Sequence, residues 1–333
     1  MKYNSVVATK RGGPEVLQIT ENDLRQPTAQ EARIKVLAAG VGRTDINYRY
    51  GLSPFSPKVP FVPGYEIMGV VDAVGDRVTK VTVGDRVAAL TGYGGYSEMI
   101  YLGQEHLVPV AQSLDPAEVV TVVLNYVSAY QMLHRVAKVK AGDRTLINGA
   151  SGGVGTALLQ LGKLSGLKMF GTASPSKHNL LTELGAFPID YRAQDFVEVI
   201  RQVEPNGLDF VFDGIGGEDG DRALAVLRRG GKLIGYAAPT GFLSIVRDLI
   251  KLISVNLLPN GKSAEFYGIT VIYLRDKKPF MEDLQKLFNL LEEGKIKPLI
   301  EARFPILEAR KANELLESGQ VTGNLVLLSP ELM

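Results

Sequence analysis

A glycine-rich segment, Asn148–Gly155, is the feature that most constrains the fold of this chain. It reads NGASGGVG, follows a predicted strand over 144–148 and opens a predicted helix. Such a turn presents unpaired backbone N–H groups and the positive end of a helix dipole to a pyrophosphate. Gly152 would let the backbone approach the phosphates and Gly155 would let the helix pack against its strand, although Ala150 replaces the first glycine of the usual pattern. The segment therefore predicts a dinucleotide site.

Strand and helix patterns alternate from about residue 117 onward. The predicted strands are 144–148, 167–172, 208–213 and 232–236. The run 208–213 is apolar and ends in Asp213, which is typical of a strand buried on both faces of a parallel sheet. A helix with Ala223, Leu224 and Leu227 on one face is predicted before the last strand. We therefore expect an α/β fold with a doubly wound parallel sheet of the Rossmann type.

Short β-rich segments separated by glycine and proline fill the first third of the chain and predict an antiparallel β unit. The tail carries two amphipathic helices and a last strand over 324–328. We expect this tail to return to the amino-terminal unit and to make it discontinuous. The predicted domains are 1–123 with 276–333, and 124–275.

The composition excludes several classes of function. The 37 basic and 36 acidic residues give a net charge of +1, too small to attract nucleic acid at long range. The chain has no cysteine and three separated histidines, so no disulfide, thiolate or metal site is expected. The amino terminus lacks a signal-peptide core, and charges interrupt the apolar run 242–258. We therefore expect a cytoplasmic protein without a membrane span.

The segment after the second Rossmann strand indicates which dinucleotide is bound. NAD enzymes of this fold place a carboxylate there, about 20 residues after the glycine-rich turn, to bind the ribose 2′-hydroxyl. This chain has no carboxylate over 171–178. Ser174 resembles a helix N-cap. Lys177 would then lie in the first helical turn, where its positive charge is unfavourable next to the helix dipole; a bound 2′-phosphate would compensate that charge. The alternative is that Lys177 is an exposed lysine that binds no ligand. The lack of a carboxylate together with Ser174 and Lys177 favours NADPH over NADH.

These residues and the first third resemble the medium-chain dehydrogenase/reductase superfamily, in its zinc-independent quinone oxidoreductase branch. The motifs are Gly12–Leu17, Ala38–Val41, Pro63–Glu66, Val83–Val87, the glycine-rich segment and Thr322–Asn324. The resemblance implies a GroES-like β-rich catalytic domain, a Rossmann domain, an active-site cleft between them and a homodimer. It also implies that Tyr191 joins Ser174 and Lys177 around the 2′-phosphate. The candidate cofactor residues are thus Ser151, Gly152, Gly153, Val154, Ser174, Lys177, Tyr191 and Asn324.

Zinc alcohol dehydrogenases of this superfamily place a cysteine and a histidine where this chain has Gly42 and Tyr65. Without such ligands a metal mechanism is not expected. The phenol of Tyr65, or of Tyr48, could donate a hydrogen bond or a proton to a conjugated carbonyl oxygen. The alternative is that both are half-buried structural aromatics. Glu66 is expected to pair with a nearby arginine.

The sequence predicts an NADPH-dependent, zinc-free oxidoreductase that reduces an apolar quinone or α,β-unsaturated carbonyl. Two alternatives remain, an enoyl-thioester reductase and an NADPH-binding sensor or scaffold without turnover. The apolar segment after the Pro239–Gly241 turn places Phe242, Ile245, Val246, Leu249 and Ile253 on one helical face. That helix is either a core or dimer contact, or a wall for long apolar substrates.

Overall fold

The computed structural model describes residues 1–236, 242–257, 259 and 261–333, and in 242–245 the backbone only. The chain divides into two compact units. Unit 1 comprises Met1–Val127 and Lys278–Met333, and unit 2 comprises Ser128–Lys277. The domain boundaries after residues 123 and 275 stay a prediction.

The structure contains strands and helices in both units. In chain order the strands are β1 (Lys2–Ala8), β2 (Leu17–Asp23), β3 (Glu31–Val41), β4 (Glu66–Val74), β5 (Arg86–Leu90), β6 (Met99–Gly103), β7 (Val108–Pro109), β8 (Arg144–Asn148), β9 (Lys168–Ala173), β10 (Ala186–Asp190), β11 (Leu208–Asp213), β12 (Leu227–Gly235), β13 (Ser263–Phe266), β14 (Ile300–Pro305) and β15 (Asn324–Leu328). The α-helices are α1 (Arg43–Tyr50), α2 (Pro116–Thr121), α3 (Val127–Gln131), α4 (Gly153–Leu164), α5 (His178–Glu183), α6 (Phe196–Val203), α7 (Gly217–Ala223), α8 (Phe242–Leu257), α9 (Ile269–Arg275), α10 (Lys278–Glu292) and α11 (Ala309–Glu317).

Unit 1 is built on a sheet of order β14-β15-β3-β4-β5-β7, with β6 also paired to β3. The β1–β2 hairpin forms a separate antiparallel pair. Strand β15 pairs antiparallel with β3, which places the tail in the sheet of the first third. The strand pairs within the first third are antiparallel, as predicted. In the tail, β14 pairs with β15 in parallel.

Unit 2 is built on a parallel sheet of order β10-β9-β8-β11-β12-β13. This order, in which the first strand of the unit lies at the centre, confirms the predicted Rossmann arrangement. One predicted helix was wrong at its end. Helix α7 stops at Ala223, and Leu227 is the first residue of β12, paired with Leu208. Ala223 and Leu227 are both buried, and a 3-10 turn over Leu224–Val226 separates the helix from the strand.

The apolar segment predicted as a helix forms α8 in unit 2. The turn predicted over Pro239–Gly241 and the side chains of Phe242 and Ile245 lie outside what the structure describes. Exposed apolar side chains nevertheless form a stripe along α8. They are Val246, Leu249, Ile250, Ile253 and Leu257. Within the described ranges, no helix has both the length and the apolarity needed to cross a membrane.

Candidate active site

The glycine-rich turn joins β8 to α4. The surroundings of Gly155 and of Gly152 in this turn differ. A Cβ atom on Gly155 would lie 2.4 Å from the carbonyl oxygen of Gly149, so packing excludes a side chain there. A Cβ on Gly152 would meet only that same oxygen, at an ordinary 3.7 Å. The protein therefore leaves open space in front of the helix at Gly152, and a phosphate can occupy that space.

The first turn of α4 presents unpaired donors to this space. The first helical bond runs from the Thr156 amide to the Gly152 carbonyl, at 2.8 Å. Among the described residues, no acceptor binds the amides of Gly153, Val154 and Gly155. The predicted phosphate residues Ser151, Gly152, Gly153 and Val154 all keep some exposure. The arrangement fits the pyrophosphate of a dinucleotide.

A buried hydrogen-bond ladder holds this turn in place, and sequence reasoning missed it. The Thr172 hydroxyl accepts from the Gly149 amide at 3.0 Å and donates to Oδ1 of Asn148 at 2.6 Å. Asn148 Nδ2 in turn donates to Oδ1 of Asp213 at 2.9 Å. Asp213 also accepts from the amides of Ile215 and Gly216. The only signal in the sequence is a polar residue at the end of each of the predicted strands 144–148, 167–172 and 208–213.

The turn after β9 contains Ser174 and Lys177. Ser174 precedes a short turn over 175–177 with Pro175 in first position, as predicted for an N-cap. Its hydroxyl does not cap the backbone, however, but lies 3.4 Å from the hydroxyl of Ser176. The Ser174 carbonyl instead accepts from the Lys177 amide, at 2.9 Å, because the turn is tight. The Ser174 side chain is therefore not committed to backbone capping.

Tyr191 lies beside this turn. Asp190 pairs in register with Ala173 on the neighbouring parallel strand, so Tyr191 and Ser174 occupy equivalent positions at the strand ends. The Tyr191 ring is half exposed, and Arg192 Nε donates to its hydroxyl at 3.3 Å. Sequence reasoning did not single out Arg192, which adds a cation to this edge.

In unit 1, the structure brings together the two predicted catalytic tyrosines. Tyr65 precedes β4, and its carbonyl accepts from the amides of Thr91 and Gly92 at 2.9 and 3.1 Å. Tyr48 lies on α1. Both rings are buried, and they meet edge to face with 5.8 Å between centroids. Their catalytic role stays a prediction.

A buried carboxylate, Asp45, braces the segments that carry these tyrosines. Its two oxygens accept from the amides of Gly42 and Gly64, each at 2.9 Å. Burial raises the pKa of Asp45 to about 6, although these amides oppose the shift. Asp45 thereby links the start of α1 to the residue before Tyr65.

Glu66 does not have the arginine partner that we predicted. The buried Arg49 pairs instead with Glu317 and donates to the Gly12 carbonyl. Glu66 is buried, one of its oxygens has no hydrogen-bond partner, and no ion pair of the described residues includes it. Burial and the nearby Asp45 raise the pKa of Glu66 well above its ordinary value.

The last predicted cofactor residue, Asn324, is buried at the start of β15. Its Oδ1 accepts from Asn125 at 2.6 Å and its Nδ2 donates to the Leu299 carbonyl at 2.9 Å. Its amide is thus bound within unit 1, and contact with a cofactor stays a prediction. Across the described part of the chain, no group of three or more His, Cys, Asp or Glu side chains could hold a metal ion.

Comparisons with known proteins agree with this architecture. Residues 28–112 match the alcohol dehydrogenase GroES-like domain, and residues 184–327 match a zinc-binding dehydrogenase model. A quinone oxidoreductase from Pseudomonas aeruginosa is 32% identical, over 95% of this chain and 97% of that protein. The synaptic vesicle membrane protein VAT-1 homolog of Danio rerio is 29% identical, over 98% of this chain and 70% of that protein.

Among solved structures, the Escherichia coli quinone oxidoreductase complexed with NADPH has a TM-score of 0.87 and 26% identity. The match covers 98% of this chain and 99% of that one. The chain thus resembles this solved quinone oxidoreductase over nearly its whole length. The chain belongs to the medium-chain dehydrogenase/reductase superfamily, in its quinone oxidoreductase-like branch.

Proposed function

We propose that the protein is an NADPH-dependent reductase that reduces a quinone or an α,β-unsaturated carbonyl without a metal ion. The observation that carries this proposal is the open space at Gly152 in front of three unpaired helix amides. The solved quinone oxidoreductase of Escherichia coli, which was complexed with NADPH, supports the choice of cofactor. When bound, NADPH supplies the hydride.

The cofactor would be held at two places in unit 2. The amides of Gly153 and Val154 would bind the pyrophosphate. Ser174, Lys177 and Tyr191 would surround the 2′-phosphate, with Arg192 as a further cation at the same edge. The absence of a carboxylate over 171–178 supports NADPH over NADH.

In unit 1, Tyr65 or Tyr48 would donate a hydrogen bond to the acceptor oxygen. A phenol is a neutral donor at physiological pH, and burial strengthens its hydrogen bond by excluding water. The residues that this chain has at the two positions where related dehydrogenases bind zinc support a metal-free mechanism. Gly42 has no side chain, Tyr65 replaces a histidine, and the chain has no cysteine.

The test is an acceptor panel with purified protein and NADPH. Quinones, enones, alkenals and enoyl thioesters are compared after metal chelation. We expect turnover with quinones or enones that survives chelation. A clear preference for enoyl thioesters would support the thioester alternative instead. Tight NADPH binding without oxidation by any acceptor would refute the enzyme and favour a binding protein.

Two matched variants test the phenol. Tyr65→Phe should lower kcat/KM about 100-fold, the size of a typical general-acid contribution. Tyr126→Phe is the control, because Tyr126 is also buried but its hydroxyl has no hydrogen-bond partner in the described part of the chain. Full activity of Tyr65→Phe would return Tyr65 to a structural role and leave Tyr48 as the candidate.

The cofactor preference has its own test. Binding of NADPH and NADH is measured by fluorescence on the protein alone. Lys177→Glu should weaken the binding of NADPH about tenfold or more and leave the binding of NADH nearly unchanged, because only NADPH carries the 2′-phosphate. Equal affinities of the unmodified protein for both dinucleotides would refute the argument from Ser174 and Lys177.

We also propose that the protein is a homodimer formed through the exposed stripe on α8. Leu249, Ile250 and Ile253 are each half exposed or more, and a second copy would remove them from water. Strand addition at the neighbouring edge strand β13 is disfavoured, since Asn256 already binds both the amide and the carbonyl of Ala264. In sedimentation, Leu249→Asp should give monomers and the exposed control Gln202→Asp should not. A monomeric unmodified protein would refute this proposal.

A further inference from the structure

We propose that unit 1 contains a second ligand site, a groove that binds a planar aromatic anion. This aromatic groove has a volume of about 590 Å³ and lies between β1, β6 and the loop over 55–62. Binding pockets for small molecules commonly measure about 300–1,000 Å³. The lining residues used below are Tyr3, Arg25, Phe55, Lys58, Tyr93 and Tyr101.

Tyr101 forms a rigid wall of the aromatic groove. Its hydroxyl accepts from the Arg25 amide and donates to the Arg25 carbonyl, both at 2.9 Å. The Arg25 guanidinium stacks 3.9 Å from the centre of the ring. Glu31 holds that guanidinium with two hydrogen bonds of 2.7 and 3.1 Å. Because the Tyr101 side chain is already ordered, it loses little conformational entropy when a ligand packs against this wall.

The other walls offer aromatic surface that the protein leaves in water. Phe55 and Tyr93 are 45% and 54% exposed. Tyr3 is half-buried, and its hydroxyl has no hydrogen-bond partner among the described residues. Burial raises the pKa of Tyr3, so this hydroxyl stays protonated and can donate a hydrogen bond to a ligand. Exposed rings around one concave surface favour a planar aromatic occupant.

The charges of the aromatic groove select an anion. Its described lining includes Arg25 and Lys58 and no aspartate or glutamate. Glu31 already neutralises Arg25. Lys58 is exposed and forms no ion pair with any residue that the structure describes. Lys58 is therefore the cation that remains for a carboxylate or sulfonate on the ligand.

The experiment measures binding of 2-naphthoate and of the neutral 2-naphthylmethanol to the protein without cofactor, by calorimetry. We expect saturable binding of naphthoate that is several-fold tighter than that of the alcohol, since an exposed ion pair contributes up to about fivefold. Lys58→Glu should abolish this preference for naphthoate. Tyr93→Ala should weaken the binding of both compounds about threefold or more. Lys10→Glu, which changes an exposed lysine outside the groove lining, should leave both affinities unchanged.

Each other outcome overturns a defined part of the inference. Equal affinities for naphthoate and naphthylmethanol would show that the aromatic groove does not select an anion. Absence of saturable binding, or binding that neither groove variant changes, would refute the aromatic groove as a ligand site. Because the titration contains no NADPH, its failure is distinct from failure of the proposed reductase activity. Thermal midpoints of the variants identify any loss of folding.

Discussion

Two threonines in neighbouring strands of unit 2 provide a controlled test of the ladder beneath the glycine-rich turn. Thr172 on β9 and Thr145 on β8 are both buried, with 3% and 0% of their surface exposed. The Thr172 hydroxyl accepts from Gly149 and donates to Asn148, whereas the Thr145 hydroxyl has no partner among the residues that the structure describes. The substitution Thr→Val replaces a hydroxyl by a methyl group at nearly constant volume. The two variants therefore differ mainly in hydrogen bonding.

The structure sets the size of the expected difference. Thr172→Val leaves Oδ1 of the buried Asn148 without its donor, which costs about 1–3 kcal/mol. Thr145→Val removes a buried hydroxyl that is already unpaired, so its cost should be about zero, or stability should increase. We therefore expect Thr172→Val to be less stable than Thr145→Val by about 2 kcal/mol in the free energy of unfolding.

Urea unfolding of the cofactor-free protein, followed by circular dichroism, measures this difference. Amide hydrogen exchange at Gly149 gives a local measure, since Thr172→Val removes the acceptor of that amide and should accelerate its exchange. Equal unfolding midpoints for the two variants would refute the ladder as a stabilising unit. A larger loss of unfolding free energy in Thr145→Val than in Thr172→Val would contradict the assignment of the stabilising hydrogen bonds to Thr172.

Two further predictions concern the same turn and the acids of unit 1. Gly155→Ala should lower the thermal midpoint, because its Cβ would lie 2.4 Å from the Gly149 carbonyl. Gly152→Ala should keep the midpoint but weaken NADPH binding at least tenfold; the opposite pattern would refute the open space at Gly152. Glu66 has a raised pKa when folded, so its contribution to stability is lost as pH rises from about 4.5 towards that raised pKa. Glu66→Gln should therefore flatten the fall in unfolding free energy as pH rises above about 4.5, and the fall that remains up to about pH 6 comes from Asp45. An unchanged slope would show that Glu66 is not the group concerned.

Local patterns predicted some elements very closely. The strands 144–148, 208–213 and 324–328 have the predicted bounds in the structure. Each is short, contains apolar residues and is followed or preceded by a glycine or polar turn, so its local signal is clear. Strand β10, in contrast, includes a proline, and no β-strand pattern was recognised over its residues. Its conformation comes from pairing with β9, which is a tertiary interaction.

The sequence by itself determined the two fold types and the cofactor turn, since these depend on residues close together along the chain. The tertiary structure decided which distant side chains meet. Thr172, Asn148 and Asp213 form one ladder because parallel register places the ends of β9, β8 and β11 side by side. The same is true of Glu66, which was expected to pair with a nearby arginine and forms no ion pair among the described residues, whereas the buried Arg49 pairs with Glu317. Periodicity reports the conformation of a segment, whereas contacts between segments depend on packing that no local pattern contains.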